Sequence, residues 1–446
     1  MVNPFNDLLK QHARYQDSLK SELSLEMAEG QINALNFFTN RGLPSKKFED
    51  WKYSDIPKKL QLAQKFFSIV APDTIKTKTI EFIREQIKDL DNVIILIDGF
   101  YQQSLSRTCK DINIVSFAQV MAKQTSPFFK NKNDLYSYQQ EQNPFIGLNH
   151  AFIGQGLYLE IPPNSSLKTP LYLINYCDQT DHTYMINPHT FVHVGENSTL
   201  KLVEQNHSQN GHEVLSNNVT DFYLSKNACV KHVKSQLEGN QTIHLSAIRA
   251  KIESFGNYQL VSLSSGALSS LNQVTIDLLG KEARTSINGL YSLNHDQQSS
   301  HNTVINHLSS HTYSSQLYKG ILDDSSHGIF NGKIKVARNS QQVSSTQQNK
   351  NLILSAKAKV NTLPQLEIDA DDVKCSHGAT IGQLSPDQIF YLSSRGISPQ
   401  KAKKMLANGF AKDVLTKIED IELFNYLVST YEHFNKNTVN ERPNVV

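Results

Sequence analysis

The spacing of apolar residues divides the chain into three regions. Up to about residue 145, apolar residues recur at helical intervals, as at Ile80, Ile83 and Ile87, which predicts a mostly helical N-terminal domain. Inside this region the apolar run Val93–Ile97, followed by Asp98-Gly99, predicts one buried strand and a turn. We therefore expect a small mixed element to interrupt the helices of residues 1–145.

From residue 146 to 382 the pattern changes to short apolar or alternating runs between turns rich in Gly, Asn, Ser and Pro. Examples are Leu157–Ile161, Leu171–Ile174 and Phe191–Val194. A parallel β-helix can add short strands without limit, whereas a sandwich usually ends earlier. The pattern predicts a mainly β protein, with a central right-handed parallel β-helix flanked by N-terminal and C-terminal α-helical domains. No strict repeat is visible, so a sandwich or jelly roll is the alternative.

After residue 382 the pattern is helical again. Ser385-Pro386 and Ser398-Pro399 each supply an N-cap and a proline at the first helical position. Gly396 is expected to end the first helix and Asn408-Gly409 the second. This C-terminal domain, residues 383–446, has two interpretations: a cap on the open last rung of the β-helix, or a docking module for a partner.

Composition narrows the possible partners. The chain has 446 residues and a net charge of +2 from 44 basic and 42 acidic residues, without a basic run, so nucleic acid is not an expected partner. The longest apolar run is too short to span a membrane, and the start MVNPFNDLLK does not resemble a signal peptide. We expect a cytoplasmic protein that does not bind membranes. Its four cysteines form no CxxC pair, which favours reduced thiols.

The common catalytic motifs are missing from the sequence. There is no GxxxxGK[ST] loop, so we expect no ATP site on this chain, and neither GxSxG nor HExxH occurs. The pairs His189/His193 and His307/His311 are interpreted as a solvated or corner row rather than as metal ligands.

A cluster of three aspartates raises one enzymatic alternative. Asp369, Asp371 and Asp372 stand close together near the end of the β region. Because β-helical saccharide enzymes carry carboxylates on a groove, a cytosolic saccharide-acting enzyme is the alternative function.

The most specific candidate site is the segment VKCSHGATIG at residues 373–382. On a strand, Cys375 and His377 lie on one face, and thiolate and imidazole both bind iron, zinc and copper. The alternative is a packed cysteine and a hydrogen-bonded histidine. Two ligands do not complete a metal shell, so a facing protein surface would supply the others. Lys374 could favour the thiolate, although alternation sends it to the opposite face.

Several segments resemble one protein family. Residues 351–397, which include this segment, closely resemble the SufB/SufD family of iron–sulfur cluster assembly proteins. The resemblance extends to FNGKI at 330–334, LNHAF at 148–152 and FEDWKY at 48–53, and so covers essentially the whole chain. SufB chains typically carry Glu-His-Glu-Ala where this chain reads Cys375–Ala379, and a further upstream cysteine. Because no cysteine stands between Cys229 and Cys375, the chain resembles the SufD branch, with a SufB-type paralogue as the alternative.

The resemblance implies a non-catalytic scaffold subunit with several partners. These are a SufB-like subunit bound through the β-helix and a SufC-like ABC ATPase bound through the C-terminal helices; the isolated chain could form a homodimer. Cys375 and His377 would contribute to a transient iron or iron–sulfur cluster shared with the SufB-like partner, with His377 the favoured iron ligand. The resemblance also allows a reduced flavin in the complex.

Overall fold

A computed structural model describes residues 6–18, 25–62, 75–116, 143–153, 156–178, 184–208, 211 and 213–440. Its α-helices are α1 (Asn6–Ser18), α2 (Leu25–Arg41), α3 (Ile56–Leu62), α4 (Thr77–Ile87), α5 (Pro144–Ala151), α6 (Pro386–Ser394), α7 (Pro399–Leu415) and α8 (Ile421–Asn440). A 3-10 turn spans Glu49–Trp51. Parts of the region predicted to be helical, residues 63–74 and 117–142, lie outside the described residues.

Most of the remaining described chain is strand. The strands are β1 (Asn92–Ile97), β2 (Phe100–Tyr101), β3 (Asn113–Ser116), β4 (Leu157–Ile161), β5 (Leu171–Tyr176), β6 (Tyr184–Ile186), β7 (His189–Val194), β8 (Thr199–His207), β9 (Val214–Leu224), β10 (Cys229–Glu238), β11 (Ile243–Ile252), β12 (Asn257–Gly266), β13 (Ser269–Leu278), β14 (Arg284–Leu293), β15 (Gln298–His307), β16 (Tyr313–Leu322), β17 (His327–Val336), β18 (Val343–Ile353), β19 (Lys359–Ile368) and β20 (Val373–Gln383).

These strands form two facing sheets that the chain visits in turn. Sheet A has the order β2-β1-β5-β8-β10-β12-β14-β16-β18-β20, and sheet B the order β19-β17-β15-β13-β11-β9-β7-β4-β3, with β6 beside β9. From β7 onward, consecutive strands alternate between the sheets, and each pairs in parallel with the strand two positions later. This is a parallel β-solenoid. The predicted parallel β-helix is confirmed, and a sandwich or jelly roll is excluded because their neighbouring strands are antiparallel.

The strand predicted at Val93–Ile97 belongs to the solenoid and not to a separate mixed element. It forms β1, which pairs in parallel with β5 over six residue pairs, from Asn92 opposite Leu171 to Ile97 opposite Tyr176. All of β1 is buried, because α4 packs on its outer side. The β architecture therefore starts before residue 146.

A left-handed residue marks each turn from sheet B to sheet A between β4 and β18, but none marks the last turn, between β19 and β20. These residues, all with positive φ, are Asn164, Asn197, Asn227, Phe255, Glu282, His311 and Gln342. Their spacing varies between 27 and 33 residues, and only the first three share a residue type. Because the backbone and not the side chain repeats, the sequence has no strict period. The first turns also form a side-chain ladder, in which Asn227 donates to Asn197, and Asn197 to Asn164.

Helices cover the outer faces of both sheets. On sheet B, α1, α2 and α5 pack with Trp51 and Phe145 against residues such as Leu245 and Leu271. The FEDWKY segment lies along the same face, where Asn331 Nδ2 donates to Asp50 Oδ1 at 2.6 Å. None of the helices in the described part of the chain is both long and apolar enough to cross a bilayer.

The C-terminal helices pack on sheet A, and the cap interpretation is wrong. Ala411, Val414 and Leu427 of α7 and α8 contact outward-facing residues of sheet A such as Val233 and Val261. They therefore lie across several rungs and leave the last rung open. The same contact explains why α7 continues through Gly409, where the sequence predicted its end: the buried side chains of Ala411 and Val414 extend the apolar face beyond that glycine.

The space between the sheets is here called the lumen. It is lined largely by apolar side chains, but it also contains buried charged residues. Glu204 and Lys234 are in register on β8 and β10, with Nζ 3.6 Å from Oε1, and His232 Nε2 lies 3.4 Å from Oε2. Burial alone would raise the pKa of Glu204, but Lys234 and His232 outweigh it and hold that pKa well below its usual range. Burial lowers the pKa of Lys234, whose ammonium also donates to Ser246.

This buried pair yields a stability prediction. Glu204→Gln removes the charge that compensates Lys234 in the lumen, and we expect a loss of about 3–5 kcal/mol in the free energy of unfolding, measured by urea denaturation. The double variant Glu204→Gln/Lys234→Met should recover much of this loss, because no unpaired charge is left. A single variant as stable as the parent would contradict a charged pair.

Two lumen histidines yield a pH prediction. Burial lowers the pKa of His307 to about 4 and that of His301 to about 3. Because the unfolded state, with a pKa near 6.5, binds protons more readily, the free energy of unfolding should fall as pH drops below about 6.5, by about 1.4 kcal/mol per pH unit for each histidine. His307→Gln should reduce this slope by about 1.4 kcal/mol per pH unit in the range from pH 6.5 to about pH 4. Equal slopes in parent and variant between pH 6.5 and 4.5 would disprove the assignment.

Candidate functional site at the open rung

Cys375 and His377 lie on β20, the last strand of sheet A. Cys375 is in register with Ser345 of β18, and His377 with Gln347. Ser345 and Gln347 are buried lumen residues, so alternation directs Cys375 and His377 towards the lumen side as well. Beyond β20 the described chain adds no further strand to sheet A. The pair therefore occupies the rung where the lumen opens to solvent.

Cys375 is half-buried and packs against apolar side chains. Its neighbours include Val336, Val343 and Ala370. Burial raises the pKa of the Cys375 thiol, and a hydrogen bond from the Ser345 backbone only partly opposes this. The expected lowering of this pKa by Lys374 is wrong, because the pKa of Cys375 is raised; as alternation predicted, Lys374 is exposed on the other face of β20. The thiol is therefore neutral at pH 7 unless a metal displaces its proton.

His377 lies two residues after Cys375 on the same face of β20, and its side chain is exposed. Together the two side chains offer one nitrogen and one sulfur ligand on one face. In the part of the chain that the structure describes, no third His, Cys, Asp or Glu joins them within 4.8 Å. Soft thiolate and imidazole suit iron and iron–sulfur chemistry. A metal bound by this pair would need further ligands from beyond the described residues.

A different group of ligand-type residues is a structural network. The atoms of His150, His189 and Asp221 lie within 4.8 Å of one another. However, Arg249 binds both oxygens of Asp221 at 2.6 Å, and His189 uses one nitrogen for Asp221 at 2.9 Å and the other for Asn149 at 2.7 Å. These contacts occupy the donor atoms and attach α5 to sheet B. A metal would have to displace these hydrogen bonds. The interpretation of His189 and His307 as members of a solvated or corner row was wrong, because both side chains are buried.

The aspartates that suggested a saccharide enzyme are on the surface. Asp369, Asp371 and Asp372 are exposed in the turn between β19 and β20. The turn is fixed by backbone contacts, such as the amide of Asp372 with Gln341 Oε1 at 2.9 Å. Their exposure in this turn gives the alternative of a saccharide-acting enzyme no structural support.

The open end has features that the sequence pattern did not single out. Ile381 on β20 and Ile368 on β19 are 51% and 37% exposed, although they continue rows that are buried in the preceding rungs. In the sequence they look like ordinary core residues. Only the position of their strands at the end of the stack exposes them.

Comparison with known proteins adds independent information. Residues 176–410 match the family model for the SUF system FeS cluster assembly, SufBD core domain, and residues 3–173 match the SufBD protein N-terminal region. An iron–sulfur cluster assembly SufBD family protein of Synechocystis is 28% identical over 84% of each chain. The iron–sulfur cluster assembly protein SufD of Escherichia coli is 28% identical over 85% of this chain and 86% of its own length. SufD of Bacillus subtilis is 25% identical over 74% and 76%, respectively.

The environment of Cys375 predicts slow alkylation. Because burial raises the pKa of the thiol, iodoacetamide should label Cys375 at pH 7 several-fold more slowly than a short cysteine peptide, with a rate that still rises above pH 9. Mass spectrometry of the Cys375 peptide measures this rate. The same chain in urea is the control and should react like the peptide. A rate that levels off below pH 8 in the folded chain would contradict the raised pKa.

Proposed function

The chain belongs to the SufBD family of SUF-system iron–sulfur cluster assembly proteins, and we propose from this premise that it is a SufD-type scaffold subunit without catalytic activity of its own. In this proposal the last rung pairs with a SufB-type subunit, and the C-terminal helices bind a SufC-type ABC ATPase. Iron and sulfide are then joined at the interface that contains Cys375 and His377. The relatives named SufD in Escherichia coli and Bacillus subtilis support the SufD-type assignment.

The open last rung is the observation that carries this proposal. β19 and β20 each have a strand neighbour on one side only within the described chain, so each presents a row of unpaired backbone groups. Such edges bind further strands unless they are covered. The exposure of Ile368 and Ile381 adds apolar surface to the same end. A partner that continues the stack satisfies both, and a second copy of the chain would cover this end when the chain is isolated.

The two ends of the solenoid differ in a way that supports one pairing end. At the beginning of the stack, β2 pairs antiparallel with β1, and β3 pairs antiparallel with β4. These reversed strands are short, with two residues in β2 and four in β3, and very short edge strands protect an edge from further addition. No reversed strand or helix does this at β19 and β20 among the described residues.

The ligand chemistry fits an interface better than a single chain. His377 is exposed to an approaching metal, whereas the raised pKa of Cys375 delays the use of its sulfur until a metal competes for the proton. Iron is here a substrate of assembly and not a resident cofactor. A partner strand beside β20 would bring its own side chains next to His377 and complete the shell.

The C-terminal helices offer a separate surface for the ATPase. Helix α6 has no buried side chain, and its Phe390 and Tyr391 are 74% and 55% exposed. A groove between α7 and α8 is lined by apolar Phe424 and Val428 together with Lys412. Exposed apolar groups of this kind mark protein contacts. The sequence also lacks an ATP-binding loop, which fits a division of labour with a separate ATPase.

Reconstitution with SufB-type and SufC-type partners tests the proposal. The parent chain should co-purify with both partners and support cluster formation, followed by absorbance and Mössbauer spectroscopy. His377→Ala should leave the complex intact but lower the cluster yield at least tenfold, because one iron ligand is lost. The matched control is Ser376→Ala, which changes the opposite face of the same strand.

Two results would contradict the proposal. Failure of the parent chain to bind a SufB-type partner would refute the pairing. An unchanged cluster yield with His377→Ala in an intact complex would refute the ligand role of His377.

A further inference from the structure

We propose that Gln347 is a positioning residue for His377, holding its imidazole by a hydrogen bond made directly or through one water. The inference rests on the proposed function, in which His377 binds iron. The site then includes Gln347, which is buried on the rung before His377.

Three polar residues stack on successive rungs of sheet A. Gln316 of β16 is in register with Gln347 of β18, and Gln347 with His377 of β20. Neighbouring strands are about 4.8 Å apart, so each side chain lies beside the next. His377 is the last member of this row and the exposed one.

Gln347 is buried yet has unused hydrogen-bonding capacity. It is 1% exposed, and neither its Nε2 nor its Oε1 has a hydrogen-bond partner within the described residues. Leaving such a buried amide unsatisfied is unfavourable, so a partner or a water is expected. Gln316, one rung deeper, differs because its Nε2 donates to Thr303 Oγ1 at 2.6 Å.

A glycine on the facing sheet makes room for the Gln347 amide. A Cβ on Gly332 of β17 would lie 2.0 Å from Gln347 Nε2, so the amide rests directly against that backbone. This contact fixes how far the amide reaches across the lumen. The amide therefore stands beside the open rung, where the in-register neighbour is His377.

A bond from Gln347 would make His377 a better metal ligand. A neutral imidazole carries its proton on one of two nitrogens, and the nitrogen without it binds the metal. An amide that holds one ring nitrogen selects the tautomer and fixes the ring orientation. Gln347 has both a donor and an acceptor and can hold either nitrogen. The mechanism requires no charge in the lumen.

The test compares Gln347→Leu with the matched control Gln316→Leu. Both variants remove a buried amide from the same row, but only Gln347 neighbours His377. The first readout is the pair of imidazole ¹⁵N shifts of His377 in the metal-free, ¹⁵N-histidine-labelled full chain at pH 8.5, assigned through His377→Gln. The second is the affinity of the reconstituted complex for Co²⁺.

In Gln347→Leu we expect altered ¹⁵N shifts, which report a changed tautomer population, and about tenfold weaker Co²⁺ binding. Gln316→Leu should match the parent in both. Gly332→Ala displaces the amide without removing it, and it should reproduce the ¹⁵N change if Gln347→Leu does not fold. Parent-like ¹⁵N shifts in a folded Gln347 or Gly332 variant would overturn the inference. That result leaves the His377→Ala yield unaffected, so the two failures are distinguishable.

Discussion

The parallel stacking of rungs is the constraint on which the rest of this structure depends. In a parallel solenoid each strand satisfies its backbone groups only through the strands of the previous and the next rung. The stack therefore has to end somewhere with an unsatisfied edge. At the beginning of the stack, the antiparallel strands β2 and β3 form the outermost strands. At the other end, β19 and β20 have no further strand neighbour among the described residues. An open end is a consequence of the architecture, and here it coincides with the candidate ligands.

The layering of helices follows from the same geometry. Alternation gives each sheet one face towards the lumen and one outward face, and both faces are apolar over much of their length. Helices from the N-terminal and C-terminal regions bury the two outward faces. These helices therefore lie along the sides of the stack, away from its ends. Burial in the lumen also accounts for its electrostatics. Glu204 and Lys234 remain compatible with folding because they neutralise each other, while His301 is kept neutral by desolvation.

The candidate site combines these two features of the fold. The last rung extends the lumen row, so His377 continues a line of buried polar residues into solvent, while Cys375 still packs against the apolar core. The two side chains therefore differ in burial, and burial raises the pKa of the Cys375 thiol. In the proposed function, the exposed imidazole and the half-buried thiol belong to a ligand shell that a second protein surface completes.

The sequence by itself determined the class of the fold, since short alternating runs over the central region predict a β-solenoid, and the segment at residues 373–382 identified Cys375 and His377 as ligand-type residues on one strand face. These features are local, because alternation and capping depend on neighbouring residues. Tertiary structure alone decided that β1 joins sheet A, that the C-terminal helices lie across the rungs, and that Gln347 stands beside His377. Such facts depend on pairing between segments about 30 or more residues apart. Parallel register brings those segments together without leaving a repeat in the side chains.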